Sequence, residues 1–104
     1  MHPWPALTHL SLDYNPLGDE GVRVILGACR RASLTHLSLS GTRIGLVGAT
    51  LLANSTALSN LNELRLYSNE FGHAGAAALA DSPYLCEAIR AQFRRPPDDG
   101  GANR

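Results

Sequence analysis

The chain has 104 residues, 44% of them hydrophobic and 17% charged, and its nine cationic side chains, all arginine, balance nine carboxylates. Such a composition describes one compact domain rather than a disordered or membrane-embedded chain, and the charge balance argues against nucleic acid or an anionic membrane surface as partner. The lack of lysine excludes Schiff-base chemistry and a P-loop.

The first six residues, "MHPWPA", lack the cationic lead and apolar run of a secretion signal, and no stretch approaches the roughly 18 apolar residues of a membrane span. The expectation is a soluble, cytoplasmic protein with Cys29 and Cys86 as free thiols. Residues 1–6 read as an N-terminal remnant or partial cap in which Trp4 is the one large apolar side chain.

The next stretch, "LTHLSLDYNPLGDEGV" from Leu7 to Val22, reads as a short strand, a turn and a helix start. It returns as "LTHLSLSGTRIGLVGA" from Leu34 and "LNELRLYSNEFGHAGA" from Leu61. Rows of equivalent residues follow at a constant 27-residue step: Leu10, Leu37 and Leu64; Leu12, Leu39 and Leu66; Leu17, Ile44 and Phe71; Gly21, Gly48 and Gly75. A period of this size held without a gap is the signature of a solenoid, here with three units over residues 7–81.

Within each unit the leucines of "LxxLxL" alternate with polar residues, which describes a strand with one buried face. Val22, Ile25, Leu26 and Cys29 then form one helical stripe, repeated by Ala49, Leu52, Ala53 and Thr56 and resumed by Ala76, Leu79 and Ala80. Asp19 and Glu20 fall at the first helix's positive end. The Gly21 row predicts close approach of helix and strand layers. Asn15 and Asn69 occupy a post-strand position from which an amide can bond neighbouring coils, and Thr42 interrupts that ladder. One such unit cannot bury its own apolar face, so neighbours must stack in parallel.

The motif "LxxLxLxxNxLGDEGVxxIL" resembles the ribonuclease-inhibitor-like subclass of leucine-rich repeats, found also in NOD-like receptors and Ran GTPase-activating proteins. The resemblance implies an α/β solenoid: a short right-handed β-α horseshoe segment with parallel strands on the concave side and helices on the convex side. It says nothing about the partner.

Residues 82–93 admit two readings. One is a degenerate fourth half repeat, with a strand at Ala88, Ala91 and Phe93. The other is a closing helix capped by Ser82, starting at Pro83 and turning Leu85, Ala88, Ile89 and Phe93 inward. Residues 94–104, "RRPPDDGGANR", read as a disordered tail. Solenoid ends without polar caps expose half a core, which favours self-association through those ends or a place within a longer array.

The residues between the strand leucines face outward on the concave sheet. His9, His36 and Glu63 form one column, Ser11, Ser38 and Arg65 the next, and Asp13, Ser40 and Tyr67 a third, with Tyr14 at the rim. In horseshoes of this class such a surface is implied to bind a protein partner, and tyrosine and arginine are the expected energetic anchors.

The same residues form poor sites for chemistry. Adjacent strands lie about 4.8 Å apart, so His9, His36 and Glu63 do not converge on a metal whose ligands must approach to about 2 Å. His9, Ser11 and Asp13 sit almost 7 Å apart along one strand, too far for a nucleophile and its base. No cofactor, no metal and no enzymatic activity are expected. The alternatives are a GTPase-activating or other regulatory domain of a larger horseshoe, which would need a suitably placed loop arginine and for which Arg43 lies in a turn, and a remnant with no partner of its own.

Overall fold

The computed structural model describes residues 7–29 and 33–94. The elements run β1 (His9–Ser11), α1 (Gly18–Ala28), β2 (His36–Ser38), α2 (Leu46–Ala53), a single 3-10 turn (Thr56–Leu58), β3 (Glu63–Arg65), α3 (Gly72–Ala80) and α4 (Glu87–Phe93). Residues 1–6 and 95–104, to which the N-terminal cap and most of the expected tail belong, lie outside the described residues.

The three strands form one parallel sheet in the order β1-β2-β3, and the register follows the 27-residue step: His9 pairs with His36 and His36 with Glu63, Leu10 with Leu37 and Leu37 with Leu64. Each coil crosses from strand to helix and back, which gives an α/β solenoid with the helices in a row behind the sheet. The core between the layers is built from Leu34, Leu37, Leu39, Ile44, Leu52, Leu58, Leu61, Leu64 and Leu79, all essentially inaccessible. Their first-coil counterparts Leu7, Leu10, Leu12 and Leu17 are only partly buried, because that coil has a described neighbour on one side alone.

Three local expectations change. The α2 stripe stops at Ala53, and Thr56 is exposed in the 3-10 turn that follows. The Gly21 row is required by crowding against the helix approach rather than against the strand layer: within the coil at Gly21 and Gly75, and at Gly48 also against Asp19 of the preceding coil, whose Oδ1 would stand 2.5 Å from an added Cβ. A Cβ at Gly21 would meet Leu17 Cβ at 2.6 Å, and one at Gly75 would meet Phe71 Cβ at 2.5 Å. Asp19 does lie in the first turn of α1, but its carboxylate accepts the Gly45 N–H of the next coil at 2.7 Å.

After Ala80 the chain forms a helix, and it starts at Glu87 rather than Pro83. Ser82 is buried and organises the approach: its hydroxyl donates to the Ala53 carbonyl at 2.5 Å and accepts the N–H groups of Tyr84 and Leu85 at 3.1 and 3.2 Å. Leu85 and Ile89 enter the core, Ala88 stays exposed, and Phe93 meets Phe71 edge-on with ring centres 6.3 Å apart. Gln92 Nε2 donates to the Leu64 carbonyl at 3.4 Å, so a side chain of α4 supplies a partner to β3 where a fourth strand would have paired.

Candidate functional site

The outward side chains of the three strands line an open depression of about 450 Å³, with His9, Ser11, Asp13, His36, Ser38, Glu63 and Arg65 on its walls and Leu10 and Leu37 beneath. The pentapeptide "THLSL" occurs at 8–12 and again at 35–39. Because the strands pair in exact repeat register, identical side chains lie side by side, and the His9 and His36 rings stack with centroids 4.0 Å apart and planes 9° from parallel. Each Nδ1 is held by the preceding threonine hydroxyl, Thr8 at 2.9 Å and Thr35 at 2.8 Å. The recurrent Thr-His pair was the sequence signal for this arrangement, and strand alternation alone did not expose it.

Glu63, next in the histidine column, pairs with Arg65 on the same strand face, two residues on. Both side chains are substantially exposed, so the pair contributes at most about 1 kcal/mol and is open to exchange with an incoming charge.

The third column behaves differently from its expected role. Asp13 accepts from Ser38 Oγ at 2.7 and 3.0 Å and from the Ser40 N–H at 2.7 Å. Ser40 is only 5% exposed, and its hydroxyl accepts the Tyr67 N–H at 3.1 Å. These side chains therefore tie each coil to the next, and Ser40 is not an accessible surface residue. Asp13, committed to Ser38 and Ser40, is also not placed to orient His9 toward Ser11.

Tyr67 ends that column and is 65% exposed, with Tyr14 at the rim 74% exposed. Tyr14 has a positive φ of 62°, and its ring lies over Gly41, where an added Cβ would stand 2.5 Å from it. Gly41 is thus the floor that sets this ring's position. Arg43 is exposed in a turn with φ 64°, beside a second depression of about 400 Å³ bounded by Ile44, Asn69 and Glu70.

Among the described residues no group of three or more histidine, cysteine or acidic side chains is arranged to hold a metal ion, and no helix is long and apolar enough to cross a membrane. The two described cysteines are free; Cys29 is buried, which pushes its thiol up from the ordinary value, and Cys86 is exposed.

The family model described as Leucine Rich repeat matches residues 5–26, 32–53 and 57–80, well over half of the chain. The chain belongs to the leucine-rich repeat family. No curated relative matches it. The three matched segments coincide with the three strand–helix coils, so the leucine-rich repeat pattern and the fold describe the same units. Leucine-rich repeats are generally protein-interaction modules, and the family is typically non-catalytic.

Proposed function

We propose that the concave strand face binds a protein partner, with Tyr67, Tyr14 and Arg65 as its energetic anchors and the stacked His9 and His36 beside them. The observation that carries this reading is the exposure of two tyrosines, 74% and 65%, one next in the chain to Asp13 and the other two residues beyond Arg65, both of which line the open depression. Large rings standing in water on a fixed scaffold are the side chains that gain most from being covered, and they lose little conformational freedom on binding. Ser11, Ser38 and Glu63 supply polar contacts around them, while Asp13 and Ser40 serve the face by holding its coils together.

Three short strands present less than the roughly 800 Å² per partner of a standard interface. Binding by these coils alone is therefore weak, and it strengthens where further coils or a second contact adds area. Cytoplasmic location belongs to the same reading, since a free buried Cys29 and an exposed Cys86 suit a reducing compartment.

The test is capture of a partner with the intact protein, followed by titration of that partner against a Tyr14→Ala, Arg65→Ala, Tyr67→Ala variant whose circular dichroism matches the parent. The expected loss is tenfold or more, about 1.4 kcal/mol. Unchanged affinity in the folded variant would refute Tyr14, Arg65 and Tyr67 as the anchors of the concave face.

A further inference from the structure

The three coils are built alike, so the second and third show what the matching face of the first accepts. In those two coils Leu34, Leu37, Leu61 and Leu64 are buried, and Asn69 spans the boundary to the preceding coil with both ends of its amide. In the first coil Leu7, Leu10, Leu12 and Leu17 are only partly buried. The side chain of Asn15, the equivalent of Asn69, donates within its own coil, and its Oδ1 accepts no hydrogen bond among the described residues. Strand β1 is also an edge of the sheet. Its Thr8 carbonyl accepts the Thr35 and His36 N–H groups, and its Leu12 N–H donates to the Ser38 carbonyl at 3.0 Å. Alternation along the strand therefore turns the backbone groups of His9, Ser11 and Asp13 toward the outer edge. The opposite end of the array is closed: Leu85 and Ile89 fill its core, and Gln92 of α4 supplies a donor to the Leu64 carbonyl of β3.

We propose that the outer edge of β1 pairs antiparallel with β1 of a second copy of the chain, about a two-fold axis at Ser11. With one end of each array closed by α4, the surface on a second copy that matches an open leucine-rich edge is the same open edge. Such an isologous contact stops at the dimer, whereas head-to-tail stacking would grow without limit. The register follows from the leucines. Centred on Ser11, the pairing sets Leu10 of each copy opposite Leu12 of the other on the buried side, and any odd shift would turn these leucines to solvent. Ser11 then exchanges both backbone hydrogen bonds with its own counterpart, and His9 does so with Asp13 of the other copy. On the concave side His9 comes to lie beside that Asp13, whose Oδ1 is engaged by Ser38 and Ser40 and whose Oδ2 keeps only the longer Ser38 contact of 3.0 Å. The axis stands normal to the sheet, so both concave faces lie on one side and join into a continuous six-stranded surface, twice the area of a single copy. The inference does not depend on what that surface binds.

The experiment is sedimentation equilibrium of the full chain over a range of concentrations, for the parent, Ser11→Asp, Ser11→Lys and an equimolar mixture of the two variants, with circular dichroism on the same samples. Ser11 is exposed and its side chain faces solvent, so neither substitution disturbs the coil that carries it. A monomer–dimer equilibrium is expected for the parent. Each variant alone sets two like charges side by side on the axis and should dimerise about tenfold or more weakly. The mixture sets aspartate beside lysine and should recover the dimer. A parent that stays monomeric at every concentration overturns the proposal, as does one that grows beyond the dimer. A dimer indifferent to both substitutions, or a mixture no stronger than its components, overturns the pairing at Ser11.

Discussion

Asn69 reaches back across a coil boundary to Thr42: its Oδ1 accepts the Thr42 N–H at 3.0 Å, and the Ile44 N–H at the same distance, while its Nδ2 donates to the Leu39 carbonyl at 2.8 Å. Among the described residues the equivalent Asn15 donates to the Leu12 and Asp13 carbonyls of its own coil. Thr42 is too short to span the gap and donates to Leu39 within its own coil. Asn69→Ala should therefore cost about 2–3 kcal/mol, from backbone groups left unpaired in a part-buried site, and Asn15→Ala about 1 kcal/mol or less. Urea unfolding of the two variants decides this, and equal losses would contradict the coil-spanning role.

Gly41 carries two constraints, a φ of 65° and the Tyr14 ring above it. Gly41→Ala should destabilise by roughly 1–3 kcal/mol, part from the left-handed backbone and part from the clash. Tyr14→Ala removes only the second part, so the double variant should be more stable than additivity of the single ones predicts. A double-mutant cycle with zero coupling would mean that ring and glycine act independently.

The two described thiols should separate kinetically. Cys29 is inaccessible at the end of α1 and burial pushes its thiol up, so the reactive thiolate is both scarce and shielded. An Ellman-type reagent at neutral pH should modify Cys86 promptly and Cys29 only on unfolding. Rapid reaction of both in the folded protein would show that the first coil opens.

Acid should loosen the closing helix. A hydrogen bond from Arg94, together with the charges of Arg94 and Arg90, holds the Glu87 carboxyl below the ordinary glutamate range. Since the folded value is the lower one, this contribution is fully present above about pH 4.3, the unfolded glutamate value, and is lost as pH falls through the folded one. Glu87 is fully exposed, so the effect is small. Thermal unfolding of the parent and Glu87→Gln should differ at neutral pH and converge in strong acid; a constant difference would contradict the pairing.

The legibility of these features follows the range of the interactions that set them. Strand register was readable because each coil repeats the same demand: Leu10, Leu37 and Leu64 must share one buried face, and a slip by one residue would turn all of them to solvent. The exposed Tyr14 and Tyr67 were readable for the same reason in reverse. Asp13 and Ser40 were not, because alternation assigns a side to a side chain and not a partner. Their hydrogen bonds run to residues 25 to 27 positions away, in the next coil.

The turns show the same division. All three coils carry glycine at the 18, 45 and 72 row, yet only Gly18 and Gly72 take positive φ, while in the middle coil Arg43 takes it. The bond from the Gly45 N–H to Asp19 of the preceding coil accompanies an extended Gly45 and delays α2 to Leu46.

By itself the sequence determined the repeat, its 27-residue step, the faces that the leucines bury and the membership of the chain in the leucine-rich repeat family, because these are periodic and each coil restates them. Tertiary structure alone decided the stacking of His9 on His36, the burial of Ser40, the helix at Glu87–Phe93 in place of a fourth strand, and the exposure of Leu46 and Val47 on α2. Each of these depends on what an adjacent coil or helix presents at one position, and a period carries no information about a neighbour that departs from it.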